Sequence, residues 1–411
     1  MNYLNAKKLS LVSLTVLFMS CNSQNQNNHF PKGTYGYDVE LFKNQKIEIL
    51  QLTDEDSGAS VLIAPGYQSR VMTSTASGME GKSFGWINHD YIEAGEFNTK
   101  FNPFGGEERF WLGPEGGPFS IYFKPNAEQT FENWNVPKEL DTTPFDVVEK
   151  SGSKVSFQKT FELTNTSGTS LQVGVNRTIK LLPKEAVAKT LKTPLNESLH
   201  WVAYETENIL TNKGENNWTE DSGFLSIWLL CMFNPAEKGV VFLPYNEGNE
   251  DELGKVVEDD YFGKVPSERL IVKDGVVYFK VDGKQRNKIG LSPERSTPYC
   301  GSYDPESKSL TVLWYSKPEE PAKYVNSKWG EQEDPLKGDA LNSYNDGPVD
   351  DGSIMGPFYE IESSSPAALL KAGESITHTQ RIFHITGDEM RLNELVQNLF
   401  HVSLHDIELV F

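Results

Sequence analysis

Short runs of apolar and β-branched residues recur along this chain, separated by turn signals of the Ser-Gly, Lys-Asp-Gly and Asn-Lys-Gly type. Runs of this length and composition are typical of β-strands rather than helices. They cover residues 47–52, 60–64, 155–163, 171–182, 239–243, 270–272, 276–281, 310–315 and 378–385. Near the end the period changes, because apolar residues from Met390 to Leu399 form a stripe that would lie on one face of a helix. The pattern predicts a mainly β protein, a large antiparallel β-sandwich with a short C-terminal helix.

Residues 33–411 carry no Pro- or Ser-rich linker and no repeat of fixed period. A segment of this length suits one large β domain or two smaller ones, and the lack of a linker favours one. Apolar residues make up 37% of the chain, so a large core can form without a structural metal. We therefore expect a single β-sandwich domain over residues 33–411.

The first residues have the pattern of a bacterial export signal. Lys7 and Lys8 precede an apolar stretch over residues 9–19, which ends at Ser20-Cys21 and gives way to an Asn/Gln-rich run. This resembles a lipoprotein signal, in which residues 1–20 are removed and Cys21 is lipidated. Residues 21–32 would be a flexible tether, and the protein would sit in the bacterial envelope, periplasmic or cell-surface, held to the membrane by lipid. The alternative is an ordinary secretory signal that is cut elsewhere.

The net charge of −20 is an unfavourable starting field for binding nucleic acid or an anionic polysaccharide. After lipidation only Cys231 and Cys300 would remain, and both lie in or beside strand-like stretches. We interpret them as two buried thiols. No Cys/His spacing resembles a zinc site, and the sequence indicates no resident cofactor.

Two carboxylates fall on one side of a strand in the segment Gly356-Pro-Phe-Tyr-Glu360-Ile-Glu362. In an extended chain alternate side chains share a face, so Glu360 and Glu362 project together. With the Pro-Ala turn, the Gly-Glu turn and the strand that follow, this segment resembles the closing part of the galactose mutarotase, or aldose 1-epimerase, superfamily. The resemblance implies a mutarotase-like supersandwich in which Glu360 is the catalytic base and Glu362 stands where the family has Gln.

The loop over residues 101–119 is a candidate substrate-binding segment, because its glycines and prolines fix an irregular backbone around Glu107, Arg109, Trp111 and Glu115. An aromatic ring beside charged groups suits a sugar, whose apolar face packs on the ring while its hydroxyls hydrogen-bond. The resemblance makes Arg109 the nearest equivalent of the family's substrate-binding arginine. The alternatives are a structural Glu107–Arg109 ion pair and a core position for Trp111.

The proton donor is less clear from the sequence. The family's catalytic His is absent from the segment over residues 201–214, where Glu205 and Glu207 alternate onto one face. Glu207, or His89 in a loop-like context, could donate the proton instead. The alternative for these glutamates is an exposed acidic edge.

A third polar and aromatic segment contains Trp329, Asn345 and Asp346 in a long stretch without hydrophobic periodicity. These side chains suit the recognition of hydroxyl groups. Asn345 and Asp346, with Asp350 and Asp351, also suit Ca²⁺, and a turn at residues 345–347 is the further alternative.

The chain as a whole resembles a lipoprotein family typical of glycan-degrading Bacteroidetes, within the mutarotase-like superfamily. The resemblance implies a carbohydrate ligand and an aldose 1-epimerase-like isomerase with a Glu general base. Two other functions stay open: a non-catalytic glycan-binding lipoprotein, and a glycosidase or lyase that uses paired carboxylates.

Overall fold

The structure is a computed structural model that describes residues 29–349 and 351–411. The strands are β1 Leu50–Thr53, β2 Ser60–Ala64, β3 Arg70–Thr75, β4 Arg109–Gly113, β5 Asp146–Lys150, β6 Lys154–Thr164, β7 Ser170–Leu181, β8 Leu199–Asn212, β9 Ser226–Phe233, β10 Val240–Pro244, β11 Leu270–Lys273, β12 Val276–Lys280, β13 Asn287–Leu291, β14 Tyr299–Asp304, β15 Ser309–Tyr315, β16 Leu341–Asn345, β17 Tyr359–Ser364 and β18 Ser375–Gly387. The helices are α1 Tyr35–Asn44, α2 His89–Ala94, α3 Lys184–Thr190, α4 Glu250–Leu253, α5 Glu389–Phe400 and α6 Leu404–Glu408. In the described part of the chain, no helix has the length and apolar character needed to cross a bilayer.

Two antiparallel sheets pack face to face. A ten-stranded sheet has the order β11-β12-β10-β14-β15-β18-β8-β7-β6-β5, and a five-stranded sheet has the order β13-β16-β17-β9-β4. Their facing sides share one hydrophobic core, which includes Tyr204 and Leu210 from the larger sheet and Cys231 and Ile361 from the smaller. Strands β1, β2 and β3 form a separate small sheet. The predicted mainly β, antiparallel sandwich is confirmed.

The predicted C-terminal helix is also confirmed, as α5. Asp388 caps it, because its side chain accepts a hydrogen bond from the backbone N–H of Arg391. The apolar stripe, with Leu392, Leu395 and Val396, packs in a second core against the outer side of the ten-stranded sheet. The stripe is therefore the face that holds the helix on the sheet.

The interior of the sandwich contains a buried polar network. Arg177 Nη2 donates to Glu108 Oε1 at 2.6 Å, and Arg177 Nη1 donates to Asn208 Oδ1 at 2.6 Å. Gln380 Nε2 donates to Glu108 Oε2 at 2.7 Å. Buried charges are tolerated when they are paired and hydrogen-bonded in this way. The network joins β7, β8 and β18 to the segment that enters β4.

Candidate functional site

The outer side of the five-stranded sheet carries ionisable groups at adjacent positions. Lys288 lies opposite Tyr344, Tyr344 lies opposite Glu360, and Glu362 and Arg109 lie opposite the same residue of β9. Directly opposite residues share a face of a sheet. Arg109, Lys288, Glu360 and Glu362 therefore project from one side, away from the core, and we call these four the ionisable cluster.

The cluster consists of two ion pairs. Arg109 Nη2 donates to Glu360 Oε1 at 2.5 Å, and Lys288 Nζ donates to Glu362 Oε2 at 2.8 Å. The indole N–H of Trp228 also donates to Glu362 Oε2, at 2.9 Å. Glu360 and Glu362 are only 6% and 1% exposed. Loops thus cover the cluster almost completely, and its charges interact in a largely dehydrated environment.

Burial changes the acidity of these groups. It raises the pKa of Glu360 to about 7, against the opposing effect of Arg109, and the neighbouring carboxyl of Glu362 adds to the rise. Burial also raises the pKa of Glu115, whose carboxyl interacts with Lys288 and Glu362. Burial opposes the charge of Lys288, yet the surrounding carboxylates keep its pKa above the ordinary value. The carboxyls of Glu115, Glu360 and Glu362 therefore face only two cations, Arg109 and Lys288. The pKa of Glu360 consequently lies near neutral pH.

A pocket of about 130 Å³ adjoins the cluster. Lys288 Nζ lies 5.2 Å from the ring centroid of Trp228 and 5.6 Å from that of Tyr261. Asn342 and Asp339 also line the pocket, and the Tyr261 hydroxyl donates to Asp339. Two aromatic rings, an ammonium group and an amide therefore meet at one opening, a combination found in small-molecule sites.

The structure brings several predicted site residues together. Arg109, Glu360 and Glu362 share the cluster, and Glu115 lies beside it, where its Oε1 accepts a hydrogen bond from the indole of Trp134 at 3.0 Å. The ring of Trp111 lies under the Arg109 guanidinium, with 4.7 Å between the guanidinium carbon and the ring centroid. Trp111 is only 3% exposed. It supports Arg109 from below and does not line the pocket described above.

Glu107 and Glu207 do not join the cluster, and for these two residues the expectation is corrected. Glu107 points into the sandwich, where Ser74 donates to its Oε1 at 2.8 Å and His384 Nε2 lies 3.1 Å from the same oxygen. It does not pair with Arg109. Glu207 is exposed on the outer side of the ten-stranded sheet, so the core separates it from Glu360. His89 begins α2, and its Nε2 lies 2.6 Å from Asp38 Oδ1. Its role as proton donor stays a prediction.

The residues of the third predicted segment lie in different environments. Asn345 has a structural role, because its side chain accepts from the backbone N–H of Gly283 and donates to the carbonyl of Gln285, both at 2.9 Å. Asp346 accepts from the Tyr344 hydroxyl at 2.7 Å. Trp329 remains 37% exposed, near Trp134. Among the residues that the structure describes, no group of three or more His, Cys, Asp or Glu side chains is arranged to hold a metal.

Sequence reasoning missed the aromatic walls, Trp228 and Tyr261. Trp228 lies in the continuous apolar run of β9, which gives no indication of which residues face outward. The pairing of β9 with β17 shows that Trp228 faces outward. It lies opposite Ser364, which shares the outer face of β17 with Glu360 and Glu362. Cys21 lies outside the described residues, and so does Asp350 of the calcium alternative.

These features define a class: a mainly β protein of two packed antiparallel sheets with a buried cluster of carboxyls and cations on the outer side of the smaller sheet. The chain belongs to a family of unknown function, DUF6786, whose model matches residues 33–411. None of the curated proteins matches the chain.

Several solved structures are similar to the chain in outline. One is a protein from Synechocystis sp. PCC 6803, 12% identical with a TM-score of 0.49, and the match covers 83% of this chain and 96% of that one. Another is a galactose mutarotase-like protein from Lactobacillus casei ATCC 334, 12% identical with a TM-score of 0.45, covering 82% of this chain and 100% of that one. A galactose mutarotase related enzyme from Lactobacillus acidophilus is 10% identical with a TM-score of 0.44, covering 83% and 97%. At these identities no residue role is carried over from them.

Proposed function

We propose that the ionisable cluster and its adjoining pocket bind a carbohydrate, and that Glu360 acts on it as the general base of an aldose epimerase-like reaction. The observation that carries the proposal is the state of Glu360, a buried carboxyl whose pKa is raised to about 7 beside Arg109. A general base is most effective when its pKa lies near the working pH. An ordinary surface glutamate does not meet this condition.

The pocket suits a sugar because it combines flat apolar rings with directional polar groups. The rings of Trp228 and Tyr261 can pack against the C–H face of a pyranose, while Lys288 and Asn342 hydrogen-bond to its hydroxyls. These groups line the pocket, and Lys288 and Trp228 also hydrogen-bond to Glu362. A sugar bound here would therefore lie next to Glu362, which is two positions along β17 from Glu360.

In this reaction the Glu360 carboxylate takes the proton of the anomeric hydroxyl. The bond between the anomeric carbon and the ring oxygen breaks, and the ring oxygen takes a proton from an acid. We expect water to be this acid, because Lys288, although it lines the pocket, has a raised pKa and holds its proton. The open-chain aldehyde rotates and closes on its other face as both protons return. The net change is the configuration at one carbon.

One observation favours a second function, glycan binding without catalysis. Arg109 Nη2 lies 2.5 Å from Glu360 Oε1. Arg109 therefore already occupies the carboxyl that would have to accept the proton from the sugar. Cleavage of a glycosidic bond is less well supported. Glu360 and Glu362 project from the same side of one strand, whereas the two carboxyls of a glycosidase flank the bond that breaks.

The variant Glu360→Gln tests the proposal. The change is nearly isosteric, so sugar binding should persist while turnover falls roughly a hundredfold or more, the usual size of a lost acid/base contribution. Two-dimensional exchange NMR between the anomers of free hexoses and uronic acids provides the assay, and calorimetry provides the binding.

The matched control is Glu207→Gln, the same substitution on the exposed outer side of the other sheet. This variant should leave both the rate of anomer exchange and the affinity for the sugar unchanged. If the wild type accelerates no anomer exchange but binds a sugar, glycan binding without catalysis is the function. If it does neither, the carbohydrate proposal is wrong.

We further propose that Cys21 anchors the protein in the bacterial envelope. The order of two lysines, an apolar stretch and Ser20-Cys21 supports this. Membrane retention would keep the sugar site close to glycans that reach the envelope.

A further inference from the structure

We propose that three aromatic side chains beside the pocket, Phe131, Trp134 and Trp329, bind further sugar units of an oligosaccharide whose end lies in the pocket. We call these three rings the aromatic shelf. The proposal rests on the carbohydrate function proposed above and extends the ligand from a single sugar to a chain of sugars.

The three rings are close together and nearly parallel. The Phe131 and Trp134 centroids are 6.1 Å apart with an angle of 12° between the ring planes, and those of Trp134 and Trp329 are 6.5 Å apart with an angle of 23°. The ring planes are therefore nearly parallel, and each ring lies one ring spacing from the next. Sugar units of one chain can pack their C–H faces on the exposed parts of these rings.

The shelf leaves apolar surface in water. Phe131 is 77% exposed and Trp329 is 37% exposed, while Trp134 is half-buried between them. A contiguous exposed apolar patch beside a pocket is a common mark of a binding surface. Burying the rings in the core would have removed this exposed area, and the sequence instead places them at loop positions.

Specific contacts hold the shelf in place. Gln129 joins its two loops, because its Oε1 accepts from the backbone N–H of Gly117 and from that of Gly330, both at 2.8 Å. Gly116 allows a close approach, since a Cβ at this position would lie 2.6 Å from the Cα of Trp329. These contacts fix the positions of the loops that carry the three rings, so the rings form one defined surface.

The shelf is continuous with the proposed sugar site. The indole of Trp134 donates to Glu115 at 3.0 Å, and the indole N–H of Trp329 also lowers the pKa of Glu115, opposing the rise that burial causes. Glu115 in turn interacts with Lys288, which lines the pocket. Lys328, the residue before Trp329, lines the same pocket. The shelf therefore lies next to the pocket, on the side of Lys328.

A glycan fits this surface better than a nucleic acid, which also stacks on aromatic rings. Nucleic acid needs a positively charged track for its phosphates, whereas the chain carries a net charge of −20 and exposed Glu128 and Glu132 flank Phe131. Neutral sugar units need only the ring faces and hydrogen-bonding groups. A glycan is therefore the occupant that suits the shelf.

Affinity electrophoresis tests the shelf, with xylan, mixed-linkage β-glucan, mannan and polygalacturonate cast one by one into native gels. We expect at least one of these polysaccharides to retard the wild type. The double variant Phe131→Ala/Trp329→Ala should bind that polysaccharide about tenfold more weakly or worse, because two stacking faces are lost. Both side chains are at least partly exposed, so the fold should persist.

The matched control is Phe97→Ala, which removes another exposed phenylalanine, one that packs on Phe104 rather than on the shelf. It should be retarded like the wild type. The shelf is refuted if no polysaccharide retards the wild type, or if the double variant is retarded to the same extent. Anomer exchange with free sugars separates the two proposals, because the double variant should retain it and Glu360→Gln should lose it.

Discussion

Replacing Glu360 with Gln should change how the stability of the protein depends on pH. Burial raises the pKa of Glu360 from 4.5 to about 7, so the folded protein binds this proton more tightly than the unfolded chain. Protonation of Glu360 therefore stabilises the folded protein. This stabilisation is fully present below about pH 4.5 and is lost as the pH rises through about 7. The wild type should therefore lose stability between pH 5 and pH 8 through this one group, and the variant should not.

The magnitude follows from the two pKa values. One pKa unit is worth about 1.4 kcal/mol, so the rise corresponds to about 3 kcal/mol in total. Of this, about 2.5 kcal/mol falls between pH 5 and pH 8. Gln is neutral at every pH, as the Glu360 carboxyl of the wild type is at pH 5, so the charged Glu360–Arg109 pair is present only in the wild type and only at the higher pH. The change between the two pH values therefore comes from the titration of Glu360 alone.

Urea unfolding, followed by tryptophan fluorescence at pH 5 and pH 8, measures the effect. The unfolding free energy of the wild type minus that of the variant should fall by about 2.5 kcal/mol from pH 5 to pH 8. Glu205→Gln is the control: burial disfavours the Glu205 carboxylate, but Lys180 and Arg381 outweigh this and lower its pKa. Glu205 therefore contributes equally at both pH values. An unchanged difference for Glu360→Gln would refute the raised pKa and weaken the general-base assignment.

Three further predictions concern other parts of the chain. Arg177→Met should lower the unfolding free energy by about 3–5 kcal/mol in urea titrations, because it leaves the fully buried Glu108 carboxylate without its partner, and Glu108→Gln added to it should restore part of the loss. Lys288→Met should raise the pKa of Glu360 further, since Lys288 lowers it in the wild type, and NMR titration of the side-chain carboxyl carbon should show the midpoint moving to higher pH. Cys21→Ala should move the protein from the membrane fraction to the soluble fraction, and unchanged membrane association would remove the lipoprotein proposal.

The strand periodicity could be predicted from the sequence because it is a local property. The run at 60–64 matches β2, and the run at 155–163 lies within β6 Lys154–Thr164. The placement of Glu360 and Glu362 on one face of a strand was equally local, since it depends only on the alternation of side chains. That interpretation led directly to the cluster.

The partners of these residues could not be predicted in the same way. Arg109 and Glu360 are separated by 251 positions in the chain, and only the pairing of β4 and β17 with β9 brings them together. Three consecutive charges, Glu107 to Arg109, also look alike in the sequence. Glu107 and Glu108 point into the sandwich, and Arg109 points outward as β4 begins. The Glu107–Arg109 ion pair, which the sequence left open as an alternative, is therefore not formed.

Glu207 shows a second limit of the same kind. Its alternation with Glu205 on one face was visible in the sequence, but the sheet to which that face belongs was not. The face lies on the outside of the ten-stranded sheet, whereas Glu360 lies on the outside of the five-stranded one. Two faces of similar polarity in one sandwich cannot be told apart by periodicity alone.

A crystal structure of the protein soaked with the sugar that binds most tightly in calorimetry would show where the ligand lies. We expect a pyranose ring against Trp228 and Tyr261, with hydroxyls within hydrogen-bonding distance of Lys288 and its anomeric carbon facing Glu360. Sugar density at any other place on the protein, with the pocket beside Trp228 free of sugar, would contradict this expectation.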